Sequence, residues 1–221
     1  MHPEPEPPTD RKAPIALWRF ARRFFCNLHL AWGNPCDVAA MPFLSRKIRD
    51  LFASWIRVGE AVMRRMLLIE AALLDVPPPS RRQPAGKMPA VRKRKLIEFH
   101  ADKPEDWRVS FNCISQAERR LPAGTSRTRI AENQPQSRLE DGAPTTGYFS
   151  AWPLALRYEA LFRAFNDPQP YARRLARRLH AHPHLIEPLL EAPPEYEHRL
   201  DHADDLTQAA RNAWPQRQDS S

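Results

Sequence analysis

A helical stripe in the segment 45–75 constrains the fold of this chain more than any other feature of the sequence. Apolar or small residues recur there at spacings that alternate between four and three, at Ile48, Phe52, Trp55, Gly59, Val62, Met66, Ile69 and Leu73. This period predicts one long amphipathic helix with the heptad repeat of a coiled coil. Such a helix spans about 45 Å and cannot bury its stripe against itself.

The stripe therefore needs an apolar surface from elsewhere. The segment 14–32 predicts only a shorter aromatic helix, and the helices predicted over 148–214 are expected to satisfy mostly one another. We predict a protein partner, including a second copy of the chain, on the stripe residues Ile48, Phe52, Trp55, Val62, Met66, Ile69 and Leu73. Met41 stands just before the long helix, which leaves open that residues 1–40 are an upstream extension. Without them, the long helix would self-associate.

The balance of proline and glycine favours ordered pieces joined by extended linkers. The chain of 221 residues has 24 prolines against 6 glycines, which is unusual for a single compact core. We expect a mainly α-helical fold with a disordered start (1–13), a helical hairpin or long-helix module (14–75), a basic proline-rich linker (76–95), a small β-hairpin (96–114), a disordered linker (115–147), a small C-terminal helical bundle (148–214) and a disordered tail (215–221).

The β-hairpin is predicted from a change of period. In the run WRVSFNC, the apolar residues Trp107, Val109, Phe111 and Cys113 alternate with polar ones, as in a half-buried strand. The run LIEFH at 96–100 would be the second strand. An isolated hairpin is marginal in water, so this one must lie on a helix, pair with another chain or serve as a short recognition strand.

Basic residues dominate the first two thirds of the chain. The net charge is +8, and residues 1–150 hold 25 Lys and Arg against 16 Asp and Glu, whereas residues 151–221 hold 9 against 10. Only 6 of the 34 basic residues are lysines, and the arginine fork suits phosphates and carboxylates. The alternative explanation of this bias is a GC-rich coding genome, which also favours arginine over lysine. We therefore expect an anionic partner, either nucleic acid or an acidic protein.

Two basic clusters hold the candidate anion-binding residues. The linker cluster lies in a stretch with seven basic residues and no acidic one, and the helix cluster lies in the repeat ARRLARRL. Their members are Arg81, Arg82, Arg92, Lys93, Arg94, Lys95, Arg173, Arg174, Arg177 and Arg178. The alternative for the first cluster is a merely solubilising linker. The alternative for the second is neutralisation by acidic residues near the C-terminus, namely Glu195, Glu197, Asp201, Asp204 and Asp205.

No catalytic motif is recognisable in the sequence. Neither the GxGxxG pattern nor the P-loop pattern is present, and no nucleophile stands with a neighbouring base. We therefore expect a non-enzymatic protein without a cofactor, a metal or a small-molecule substrate. His198 and His202 would share one face of a predicted helix, so a metal-dependent enzyme that uses them is kept as the third alternative.

The favoured function is that of a cytoplasmic adaptor. Three cysteines are too few and too odd in number for a disulfide framework, and no apolar run reaches the length of a membrane span. The adaptor would bind an anionic partner through the two basic clusters and associate with itself through the long helix. The alternative is a peripheral membrane protein whose amphipathic helices, 15–32 and 48–74, lie on an anionic lipid surface.

Overall fold

The structure is a computed structural model that describes residues 11–74, 100–113, 148–200 and 203–214. The helices in these ranges are α1 (Ile15–Trp32), α2 (Pro35–Ala40), α3 (Arg46–Ala72), α4 (Trp152–Asn166), α5 (Gln169–Ala181), α6 (Ile186–Leu190), α7 (Tyr196–Arg199) and α8 (Ala203–Ala213). The strands β1 (Leu44–Ser45) and β2 (Tyr148–Phe149) pair antiparallel, and 3₁₀ turns occupy Pro104–Asp106 and Pro183–Leu185. The predicted mainly helical fold class is confirmed.

Helix α3 is the centre of the molecule. It begins after Ser45, whose hydroxyl accepts a hydrogen bond from the backbone N–H of Ile48. Every residue from 58 to 71 is buried, so about four turns of the helix are covered on all sides. Helices α1, α4, α5, α6 and α8 provide this cover. The long helix predicted from the sequence is confirmed, but the expectation that the rest of the chain could not enclose it is wrong.

Aromatic side chains bring α1 onto α3 and α4. The ring centroids of Trp32 and Phe52 lie 4.5 Å apart, and those of Phe25 and Phe165 lie 4.6 Å apart. At Gly59 of α3, an added Cβ would lie 2.8 Å from a side-chain carbon of α4 and 3.1 Å from one of α1, so glycine allows the three helices to meet closely. Helix α1 therefore belongs to the same core as α3.

A buried carboxylate ties the start of the described chain to α3. Glu70 is fully buried, and its oxygens accept hydrogen bonds from the backbone N–H groups of Lys12 and Ala13 and from the indole N–H of Trp18, each at 2.9 Å. The predicted disorder of residues 1–13 is therefore wrong for residues 11–13. The residues before them lie outside the described ranges.

The predicted β-hairpin over 96–114 is wrong for its described part, which holds a 3₁₀ turn but no strand. Residues 107–113, which begin with the extended backbone of Trp107 and contain neither helix nor strand, are called the extended stretch below. The expected alternation is present, because Trp107 and Phe111 are buried while the polar residues between them are not. This stretch packs on helices instead of a second strand. Trp107 contacts α4, and Arg163 of α4 donates hydrogen bonds to three backbone carbonyl groups within 104–107. Helix side chains therefore replace the partner strand.

The helices predicted over 148–214 are present as α4 to α8. They pack on α3, in the same core as α1, more than on one another. The sequence predicts the last of these helices as one continuous helix over 194–214, but it is broken, because Leu200 has an extended backbone between α7 and α8. The predicted linkers 76–95 and 115–147 and the tail 215–221 lie outside the described residues.

We expect Glu70→Ala to lower the free energy of unfolding by about 3 kcal/mol, because it leaves buried N–H donors without an acceptor. Denaturant unfolding followed by circular dichroism measures the change. Glu187→Ala, at an exposed position of α6, is the matched control and should change the stability by less than about 0.5 kcal/mol. Equal stabilities of the two variants would show that the carboxylate does not anchor the N-terminal segment.

Candidate anion-binding face

Helix α5 separates its apolar and basic residues onto opposite sides. The repeat Ala-Arg-Arg-Leu places residues of one kind three or four positions apart, which is the spacing of a helix face. The buried members are Ala172, Leu175, Ala176 and Leu179. They pack on α3, so the arginines between them are left exposed. We call this exposed side the arginine face; it consists of Arg173, Arg174, Arg177 and Arg178.

The arginine face is only partly neutralised. Within the described ranges, no carboxylate forms an ion pair with Arg173, Arg174 or Arg177. Glu195, which the sequence offered as a neutralising residue, lies instead 2.6 Å from Arg57 of α3. The hydrogen bond from Arg57 holds the pKa of the Glu195 carboxyl below its ordinary value, so this carboxylate is ionised and engaged at neutral pH.

The other acidic residues that could neutralise the arginine face differ in where the structure places them. Glu197 and Asp204 are exposed, and Asp201 lies outside the described residues. Arg178 and Asp205 each interact within the chain. The available positive surface therefore consists of the other three arginines of the face, Arg173, Arg174 and Arg177.

Arg174 differs from its neighbours because it is held at two points. Its Nε donates a hydrogen bond to the backbone carbonyl of Pro170 at 3.1 Å, and its guanidinium carbon lies 4.7 Å from the centroid of the Tyr171 ring. A cation–π contact at such an exposed site contributes about 0.5–1 kcal/mol. A cleft of about 360 Å³ opens beside the pair. One arginine of the face is thus preorganised next to an open cleft.

The linker cluster is not placed by the structure. Its residues, Arg81, Arg82, Arg92, Lys93, Arg94 and Lys95, lie outside the described residues. Their contribution to anion binding stays a prediction from the sequence.

Most of the candidate interface on α3 is buried within the chain. Phe52, Val62, Met66 and Ile69 lie in the core, and Trp55 is half-buried. Ile48 and Leu73, at the two ends of the stripe, are 46% and 51% exposed. Self-association through this stripe stays a prediction, but in the folded chain only the ends of the stripe are accessible.

His198 and His202, which were expected to share one helix face, do not lie together on a described helix. His198 is an exposed residue of α7, which ends at Arg199, and His202 lies outside the described residues. Among the described residues, no three His, Cys, Asp or Glu side chains are grouped closely enough to hold a metal ion. The buried thiol of Cys113 is a poor nucleophile, because burial raises its pKa to about 12.

The apolar helix faces that a peripheral membrane protein would place on a lipid surface are covered by other helices of the chain. The apolar sides of α1 and α3 face each other and the surrounding helices, with Trp18, Phe25 and Leu28 of α1 buried. Within the described part of the chain, no helix combines the length and the apolar character needed to cross a bilayer.

Sequence reasoning missed a buried arginine in α3. Arg65 is 1% exposed and donates hydrogen bonds to the carbonyl oxygens of Ala61 and Leu190 and to the hydroxyl of Thr207. Burial lowers its pKa, and its guanidinium carbon lies 4.4 Å from the ring centroid of Tyr196. No local signal could have identified it, because two of its three acceptors come from segments more than a hundred residues away.

Comparison of the chain with protein-family models, with curated proteins and with solved structures finds no match. Its function therefore has to be inferred from its own geometry.

We expect the double variant Arg173→Ala/Arg177→Ala to keep the stability of the parent protein within about 0.5 kcal/mol, because both side chains are exposed. Arg157→Ala is the contrasting variant. Arg157 donates two hydrogen bonds of 2.9 Å to the buried Glu60, so its loss should cost about 2 kcal/mol. Chemical denaturation measures both values. A large loss of stability in the double variant would assign a structural role to the arginine face.

Proposed function

We propose that this protein is a non-enzymatic binding module that engages nucleic acid through the arginine face of α5. The observation that carries the proposal is the group Arg173, Arg174 and Arg177, which is exposed on one side of a helix and has no ion-pair partner among the described residues. Adjacent like charges on a helix repel one another by a few tenths of a kcal/mol. An anionic partner removes this repulsion and makes new hydrogen bonds.

The geometry favours phosphate groups as the anion. Arg173 and Arg177 are four residues apart, which places them about 6 Å apart along the helix axis and lets each contact a different phosphate of one backbone. Each guanidinium can donate two parallel hydrogen bonds to one phosphate. An acidic protein is the other anionic partner that the charge would accept, and the binding experiment below distinguishes the two.

The linker cluster would strengthen this binding without adding specificity. The stretch 76–97 carries seven basic residues and no acidic one. Such a segment attracts a phosphate backbone mainly by releasing counterions, which depends strongly on salt. We therefore assign sequence-independent affinity to the linker cluster and positioning to the arginine face. A cytoplasmic location, where nucleic acid is present and thiols stay reduced, fits this proposal.

A second proposal concerns self-association. Phe43 and Tyr148 are 63% and 73% exposed with ring centroids 6.3 Å apart, and Ile48 and Leu51 at the start of α3 are about half exposed. This apolar group beside β1 and β2 supports contact with a second copy of the chain. We propose that self-association uses this end of α3 and not its buried middle.

Binding is tested with fluorescently labelled oligonucleotides by anisotropy at several salt concentrations. We expect Arg173→Ala/Arg177→Ala to weaken binding about tenfold or more and to reduce the slope of log affinity against log salt by about 1 to 2. Arg19→Ala/Arg23→Ala is the matched control, because it removes two exposed arginines with the same spacing from α1.

Three outcomes of this experiment are decisive. Equal losses in the two double variants would show that only net charge matters and would remove the role of the arginine face. Absence of binding at low ionic strength would overturn the nucleic-acid proposal. Displacement of the oligonucleotide by heparin, but not by a polyglutamate peptide, would support phosphate or sulfate over carboxylate as the bound anion.

We expect Phe43→Ser/Tyr148→Ser to shift the protein toward monomer, because it removes exposed apolar area from the contact. Analytical ultracentrifugation over a range of concentrations measures the association. Leu30→Ser removes another exposed apolar side chain, at 82% exposure on α1, and should leave association unchanged. A parent protein that stays monomeric at its highest soluble concentration would contradict the self-association proposal.

A further inference from the structure

A cleft lies at the corner where α4 ends and α5 begins. The corner forms because Asn166-Asp167-Pro168 interrupts the helix: Asp167 has a non-helical backbone, and Pro168 cannot continue the hydrogen bonding of α4. The cleft has a volume of about 360 Å³. It is lined by Arg163, Asn166, Asp167, Pro170, Tyr171 and Arg174. Because Arg174 belongs to both, the cleft is continuous with the arginine face.

One wall of the cleft is a flat, partly aromatic surface. Tyr171 is half-buried, and its ring is supported by Phe111 of the extended stretch, with ring centroids 6.5 Å apart. The guanidinium of Arg174 lies over this ring. A planar aromatic ligand can stack on the outer side of this pair, where the guanidinium plane offers a π face that the Tyr171 ring supports from behind.

The remaining lining residues differ in what they can still bind. Arg163 is already committed to Glu159 and to the carbonyl oxygens of Pro104 and Trp107, so it forms a fixed wall. Asn166 and Asp167 are exposed, and their side chains provide hydrogen-bond acceptors and an amide donor. The cleft thus combines a stacking surface, a polar edge and an adjoining positive face.

We infer that this cleft receives one unstacked base of a single-stranded nucleic acid whose phosphates lie along the arginine face. This inference rests on the proposed function. A base inside a duplex is stacked and paired and cannot enter such a cleft, whereas a single strand can turn a base out at little cost. Asp167 accepts hydrogen bonds, so bases with an exocyclic amino group are preferred over thymine or uracil.

Two contributions to binding can be measured separately, namely the phosphate contacts and the stacking of the base. The binding free energy from phosphate contacts with Arg173 and Arg177 does not depend on whether a base is present. The free energy from stacking on Arg174, which Tyr171 supports, does depend on it. An oligonucleotide with abasic sites has the same number of phosphates as its parent but no bases at those positions. Comparison of the two ligands therefore isolates the contribution of the cleft.

The test measures the affinity of the full chain for a cytosine oligonucleotide, for the same oligonucleotide with abasic sites, and for its duplex. We expect the parent protein to bind the cytosine strand about tenfold more tightly than the abasic strand, which corresponds to stacking of one base. Tyr171→Leu, which keeps an apolar contact with Phe111, should abolish this difference.

Arg174→Lys is the second variant, because it keeps the positive charge and the fold while removing the guanidinium plane. It should reduce the preference for the cytosine strand in the same way. Equal affinity of the parent protein for the cytosine and abasic strands would overturn the base-binding inference while the proposed function stands. If the parent protein binds none of the three ligands (the cytosine strand, the abasic strand and the duplex) at low ionic strength, the proposed function itself is overturned.

Discussion

The burial of residues 58–71 of α3 is the constraint on which the rest of the structure depends. A helix that is enclosed on all sides would normally be apolar all round, yet α3 carries Glu60, Arg65 and Glu70 inside the core. A buried charge is strongly destabilising unless hydrogen bonds or an opposite charge satisfy it. Each of these three therefore requires a particular group from another element, and these requirements fix how the surrounding helices are placed.

The partners of the buried charges come from distant parts of the chain. Glu70 accepts a hydrogen bond from the backbone of the segment before α1, and Glu60 accepts one from Arg157 of α4. Arg65 donates hydrogen bonds to a backbone carbonyl at the end of α6 and to a hydroxyl group of α8. Packing on α3 also uses the apolar side of α5, which leaves that helix with its arginines on the outside. The candidate binding surface is thus a direct consequence of how the core is filled.

Periodicity predicted the helices well because a helix face is a local property of the sequence. The long helix, the aromatic helix before it and the arginine helix all follow from residues three or four apart. The enclosure of α3 was not predictable, because the charges of Arg65 and Glu70 favour solvent exposure and most of the groups that bond to them are far away in sequence. The extended stretch around Trp107 has the period of a strand, but side chains of α4 and α5 take the place of a partner strand. Likewise, the exposure of the arginines was predictable, whereas the cleft beside Arg174 depends on the corner between two helices.

The same corner connects stability with the proposed recognition. Arg163 bonds to the extended stretch, the extended stretch supports Tyr171 through Phe111, and Tyr171 in turn supports Arg174. Each of these side chains is already ordered by folding, so a ligand that stacks on Arg174 does not have to immobilise it. Arg173 and Arg177 have no comparable support among the described residues and lose side-chain freedom when they contact a phosphate. Affinity from the cleft should therefore depend on the integrity of the α4–α5 corner, whereas affinity from the rest of the arginine face should depend mainly on charge and salt.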